Sequence, residues 1–271
     1  YVQPAAGDAG GALGAAIAAS YIYFDEKREL TSDYDQMQGS YLGPDFSEKE
    51  IISTVKKTKA VAEKYDDFSD LTTFIADKIA DGNVVGWFQG RMEFGPRALG
   101  NRSILGDARN PVMQKKLNLK IKYREGFQPF APSVLAEDCQ TYFEQETYSP
   151  YMLIVSPVSK NYRKELPENY NDLPLWERLY TKRSAIQSVT HLDFSARIQT
   201  VHKATNSKYY KLLSEFKDTT KCPILVNTSF NVRGEPIVCS ATDAYNCFMG
   251  TDLDVLVRSE EHTSELQSHS E

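Results

Sequence analysis

The sequence predicts an α/β fold, read equally as α+β, on three observations. Short apolar runs rich in β-branched residues recur as strand candidates. Segments with helical apolar spacing and capping signals lie between them. One apolar run, ILV at 224–226, passes directly into short polar side chains, the strand edge where α/β folds hold ligands.

The elements follow in order. A glycine-rich turn, QPAAGDAGGALGAA, opens a small-residue helix over 10–24, and a polar loop with YLGP at 41–44 comes next. Ser47 caps a second helix through Ile51, Ile52, Val55, Ala60 and Val61. A third starts near Ser69 and stops at Gly82, a C-cap signal. NVVGWFQG then reads as a buried strand entering a loop dense in Gly and Arg. Further strands are expected at 132–136, 151–158, 196–201, 223–226 and 253–257, with helices at 111–119 and 207–216. The pattern changes at 82–85, which divides the chain into units over 1–82 and 83–257.

Composition excludes several classes. The 271 residues are 41% hydrophobic and 25% charged, so disorder, collagen and coiled coil are not the main state. No apolar run approaches the roughly 20 residues of a membrane span, and no membrane partner is expected. A net charge of −6 opposes bulk nucleic-acid binding and leaves room for a local basic pocket. Cys139, Cys222, Cys239 and Cys247 form no C-x-x-C, which reads as buried thiols in a reducing, cytoplasmic compartment, with no zinc site. The first residues read as entry in mid-domain. Residues 258–271 (RSEEHTSELQSHSE) read as a non-native, adapter-derived tail; without them the net charge is −3.

Five stretches carry chemistry. In QGRMEFGPRALGNRSILGD (89–107), Arg91, Arg97 and Arg102 alternate with Gly90, Gly95 and Gly100. Glycines let backbone approach a ligand, and guanidinium forks grip phosphate or carboxylate. Pairing with Glu93 and Asp107 inside a turn-rich core is the alternative. In KIKYREGFQPFAPSVL (120–135), Lys122 and Arg124 share one side if the segment is extended, and Pro129 and Pro132 bracket Phe130. A basic surface edge before a core turn explains that string equally. In HLDFSARIQTV, His191 and Asp193 share a strand face if the strand begins there, so the carboxylate would orient the imidazole; Arg197 and Gln199 also share a face. A structural histidine is the plainer reading. Asn227, Thr228, Ser229 and Asn231 in NTSFN present donors to phosphate, carbonyl or ribose oxygens, or form a capped turn. At 7–16, Gly10 and Gly11 suit phosphates at a helix N-terminus with Asp8 holding a cation, or simply allow close helix packing.

Taken in register, YLGP, EFGPRALGNRS, KYREGFQPFAPSVL, the H-x-D…R-x-Q-T-V segment and NTSFN-x-x-G-E-P-I resemble the O-carbamoyltransferase family of nodulation-factor and antibiotic carbamoyltransferases, from residue 1 to about 257. The resemblance implies the C-terminal remnant of an actin/Hsp70-like domain over 1–82, followed by a YrdC-like domain. It implies ATP and carbamoyl phosphate as co-substrates that form carbamoyl-adenylate. The carbamoyl group then passes to the hydroxyl of a small molecule of sugar or natural-product type, with iron or another divalent metal in the intact parent. By motif, Arg97, Arg124, His191 and Arg197 take catalytic positions. Arg91, Arg102, Lys122, Asn227, Thr228, Ser229, Asn231, Gly10 and Gly11 take nucleotide- and phosphate-binding positions, and Asp8 that of a metal ligand. Its H-x-x-x-H partners have no match in this sequence. Gln128 stands where the family often has Arg, and Phe194–Ser195 where it often has Gly-Thr. A threonylcarbamoyl-adenylate synthase of tRNA modification and an RNA-binding module are the alternatives. Oligomeric state is not written in these signals.

Overall fold

The computed structural model describes residues 3–29 and 35–259. Helices α1 (Asp8–Ala18), α2 (Glu48–Thr58) and α3 (Phe68–Ala80) precede strand β1 (Val85–Gln89). Then come β2 (Arg102–Asp107), α4 (Met113–Lys116), β3 (Ala131–Leu135), α5 (Cys139–Tyr142), β4 (Ile154–Pro157) and α6 (Leu175–Tyr180). The chain continues with β5 (Ser195–Val201), α7 (Ser207–Thr220), β6 (Ile224–Ser229), α8 (Ala241–Met249) and β7 (Val255–Ser259). The expected α/β class is borne out. No helix among the described residues is long and apolar enough to cross a membrane.

The strands form one mixed sheet in the order β4-β5-β3-β6-β2-β1-β7. β1 runs parallel to β7 and β3 parallel to β5; the other neighbours are antiparallel. Local chemistry sets the helix ends. Ser47 and Glu50 form a capping box at α2, Asn206 accepts the Tyr209 N–H at α7, and Ser240 and Asp243 form a second box at α8. Helix α3 begins before the expected Ser69, because the Asp67 carboxylate accepts the Ser69 N–H at 2.6 Å.

Tyr209, Leu212, Leu213 and Phe216 lie at helical spacing on the buried stripe of α7. They meet Ile75, Ala76 and Ile79 of α3, and the two helices pack on β2, β3 and β6. Helix α8 packs on β1 and β7, and α2 packs on α8. So α3, on the N-terminal side of the expected boundary at 82–85, shares one hydrophobic core with the sheet. Helix α1 is different: none of its side chains is buried, and a widened i→i+5 turn over Ala19–Tyr23 continues it.

Three further differences have physical reasons. Strand β2 occupies a stretch read from sequence as loop. Its Arg, Ser, Gly and Asp hide a segment that is buried along its whole length between β1 and β6. Helices α5, α6 and α8 fall where the sequence pattern marks no helix, since none carries a long apolar stripe. Finally, Arg258 and Ser259, set aside from sequence as tail, are part of β7, where Arg258 stands in register with Phe88. Residues 260–271 lie outside the described residues.

Gly100 tests the packing around α7. Its φ is +110°, and an added Cβ would overlap the fully buried Tyr209 ring. Gly100→Ala should lower stability by about 2 kcal/mol or more through overpacking and backbone strain, read as a fall in the urea midpoint. An unchanged midpoint would show that the ring yields freely.

Candidate functional site

Alternation along strands places Arg197 with Gln199 on one face of β5, and Asn227 with Ser229 on one face of β6. Ser133 of β3 lies between them. Its hydroxyl donates to Gln199 Oε1, and Asn227 Nδ2 donates to Ser133 Oγ, Gln199 Oε1 and the Ala98 carbonyl at 2.8–3.1 Å. Gln199 Nε2 donates to the Leu99 carbonyl at 2.7 Å. This buried amide network pins the 97–99 loop onto the sheet. Asn227 is 1% exposed and serves that anchor.

One cluster of cations lines a cavity of about 240 Å³ bounded by Lys122, Arg124, Gln128, Ser229, Asn231, Arg233 and Gly234. Lys122 Nζ donates to the Ser229 carbonyl, to the Asn231 carbonyl at 3.0 Å and to Asn231 Oδ1 at 2.8 Å. Ser229 Oγ also donates to Asn231 Oδ1. Burial, helped by the Arg124 charge, pushes the Lys122 ammonium down to about 7. Arg124 Nε donates to Asn118 Oδ1 at 2.7 Å, its guanidinium lies over Phe130, and burial lowers its pKa. The segment is not extended as expected. Lys122 is αR, closing a widened turn, and Tyr123 has φ +47°; the two cations share the cavity through that turn.

A second cluster joins Arg97 and Arg197. Arg197 donates to the Met152 carbonyl at 2.9 Å, and burial with the Arg97 charge lowers it to about 10, still cationic at neutral pH. Arg97 Nε is buried with no hydrogen-bond partner among the described residues. Neither guanidinium has an ion pair there. His191 lies near Arg197, and burial pushes its pKa down. His191 and Asp193 precede β5 rather than starting it, in a turn with Phe194 at φ +62°. Asp193 reaches His191 through Ser195. The hydroxyl donates to Asp193 Oδ1 at 2.7 Å and stands 3.2 Å from His191 Nδ1. An Oγ that donates to Asp193 accepts from Nδ1–H, which leaves the Nε2 lone pair free to act as a base.

The other expected residues go elsewhere. Arg91 ties down the YLGP loop through the Gly43 and Leu42 carbonyls at 2.9 and 3.0 Å. Arg102 is fully buried, with its guanidinium stacked 3.6 Å from the Phe88 ring centroid. It donates to the carbonyls of Gln89, Gly90, Asn101, Cys239 and Pro44. Arg102 is thus an internal strut, and Arg91, exposed, is a surface tie between two loops. Thr228 points to the sheet face opposite Ser229. Gly10 and Gly11 lie in the first turn of α1. An added Cβ on Gly10 would strike Gln3 and the Ala5 carbonyl, so close packing is its role, while Gly11 is open. Gly95 abuts Pro4 and Ala5, which brings the turn before α1 against the Arg97 loop. Asp8 is exposed, and no group of three or more His, Cys, Asp or Glu converges among the described residues; they do not fit a metal. Cys139, Cys222 and Cys247 are buried thiols raised to about 11. Sequence reasoning missed Ser195, Arg233 and the Met152 carbonyl. Ser195 was legible only as the end of H-x-D-x-S; a main-chain oxygen leaves no signal.

Residues 76–263 match the family model described as Carbamoyltransferase C-terminus. An uncharacterized protein of Synechocystis sp. is 56% identical over 259 residues, which cover 95% of this chain and 42% of that protein. Nodulation protein NolNO of Sinorhizobium fredii is 40% identical, covering 95% of this chain and 35% of its own length. The 3'-hydroxymethylcephem-O-carbamoyltransferase of Amycolatopsis lactamdurans is 33% identical, covering 90% and 39%. The chain thus spans well under half the length of these relatives.

The buried ammonium gives a pH signature. Lys122 falls from an ordinary value of 10.5 to about 7 in the folded chain. Between those values the unfolded chain holds the extra proton, so stability rises with pH; below about 7 both states are protonated and the burial cost is complete. Urea midpoints of the parent chain should therefore climb between pH 7 and about 9.5 relative to those of Lys122→Met. Parallel profiles would refute this neutralisation.

Proposed function

Because the chain belongs to the carbamoyltransferase family, we propose that it carries the activating half of ATP-dependent O-carbamoyl transfer. In this reading residues 83–257, with α3 packed beneath them, form the YrdC-like unit, and 1–82 end the actin-like one. ATP and carbamoyl phosphate are the substrates, drawn from the cytoplasm. The acceptor is a small-molecule hydroxyl of sugar or natural-product type. One observation supports it above the rest: two groups of cations on one sheet face, of which Lys122, Arg124 and Arg197 rest on neutral oxygens. Arg197 on β5 and Ser229 on β6, which lines the Lys122–Arg124 cavity, are at least two strand spacings apart, roughly 10 Å or more, with β3 between. That separation suits two anionic groups held side by side.

Water cleaves the acyl phosphate to carbamate and inorganic phosphate. A carbamate oxygen then attacks the α-phosphorus of ATP, forming the carbamoyl–phosphorus anhydride as pyrophosphate leaves. Arg124 holds the nucleotide phosphates and takes up charge on the leaving group, and Lys122, its N–H groups held by Ser229 and Asn231, adds its charge from behind when protonated. Arg97 and Arg197 grip the carbamoyl phosphate and later the carbamate. His191 Nε2 accepts the proton of the attacking water, and the Ser195–Asp193 pair steadies the imidazolium. Fixed donors of this kind stabilise developing charge without reorganising.

Exchange of labelled pyrophosphate into ATP measures the step directly. It should require carbamoyl phosphate and fall about 10²–10³-fold in Arg124→Ala. Exchange supported instead by threonine and bicarbonate, or none from folded protein, would overturn the assignment.

A further inference from the structure

The loop that carries Arg97 is closed by a single buried carboxylate. Glu93 is 6% exposed. Its Oε1 accepts the backbone N–H of Leu99 at 2.6 Å, Asn101 at 2.9 Å and Arg102 at 3.3 Å. Phe94, Gly95, Pro96, Arg97 and Ala98 span the loop so formed. Glu93 is the sole acid between residues 90 and 101, and its engagement with backbone leaves Arg97 without a carboxylate partner. Arg97 therefore takes its place from the backbone alone. That backbone includes Gly95 at φ +128° and Gly100 at φ +110°, conformations that glycine reaches easily and does not hold by itself. Arg97 also stands against the like charge of Arg197, and repulsion would open a loosely held loop. Tyr41 Oη and Gln199 Nε2 fasten the Leu99 carbonyl at 2.8 and 2.7 Å, while Glu93 fastens the amides. Main chain on both sides of the Leu99 peptide is thus fixed.

We propose that Glu93 is a positioning residue that closes the 93–102 loop and so presents Arg97, beside Arg197, to the anionic substrate. This rests on the reading of those two arginines as an anion site. Glu93 touches no ligand; it acts through the loop. A carboxamide of the same shape keeps the acceptor oxygen, whereas a side chain one methylene shorter does not reach three N–H groups.

The test is a binding cycle with carbamoyl phosphate, read by titration calorimetry, and amide hydrogen exchange at Leu99 and Asn101. Arg97→Ala should weaken binding about tenfold or more, and Glu93→Ala comparably, with faster exchange at both amides. The Glu93→Ala/Arg97→Ala double variant should bind no more weakly than the weaker single, since both remove the same contact. Glu93→Gln should restore binding and protection. If Glu93→Ala does not fold, Glu93→Asp takes its place in the cycle. Additive losses, or parent-like binding by Glu93→Ala with unprotected amides, overturn the positioning role. Parent-like binding by Arg97→Ala overturns the anion-site reading itself, a pattern distinct from the other two.

Discussion

A cation taken out of water must be satisfied, and on this sheet it is satisfied by neutral oxygens. Lys122 donates to Ser229 and Asn231, Arg197 to the Met152 carbonyl, and Arg102 to five main-chain carbonyls. A carboxylate at any of these places would bind more strongly and cancel the charge. Carbonyls and amides hold the side chain still without cancelling its charge, so the arginines keep the region positive in a chain whose net charge is −6, and Lys122 adds its charge only below about pH 7. Glu93 is engaged with backbone amides, Asp107 with Arg109 and Asp193 with Ser195, and at the Lys122 cavity Glu125 pairs with the exposed Arg233 at 3.5 Å.

The division of labour among the arginines follows from depth. Arg91, Arg97 and Arg102 look equivalent in the sequence, each within two residues of a glycine. Arg102 starts a strand between β1 and β6 and is buried completely, so every N–H must find a carbonyl. Arg91 crosses to the YLGP loop. Only Arg97 lies at a loop tip with backbone support and no partner of its own. The struts and the presented group belong to one piece of architecture: two arginines stiffen the frame around the third.

Much of this was legible beforehand. Alternating apolar runs and capped helices announced the α/β class. Motif order marked Lys122, Arg124, Arg97, Arg197, Ser229 and Asn231, which the fold brings to one sheet face. What stayed hidden was conformation. Lys122 and Arg124 reach the same cavity through the left-handed Tyr123, not an extended run, and His191 meets Asp193 only through Ser195. Strand β2 escaped because full burial removes the alternation by which half-buried strands are recognised. Which of three arginines would be consumed by carbonyls depends on contacts up to 137 residues away, and no local pattern encodes that.

Phe88 bears on where the chain can be cut. Its ring lies between two guanidiniums, Arg102 at 3.6 Å on one side and Arg258 at 5.0 Å. Arg258 belongs to the last strand, which a boundary drawn from residue patterns alone would discard. Trimming at residue 257 removes half of this cation–aromatic sandwich and the last rungs of the β1–β7 ladder, and leaves Phe88 open at the sheet's margin beside the main Arg102 strut. Strand β7 therefore takes in residues that look, letter by letter, like the beginning of a tail.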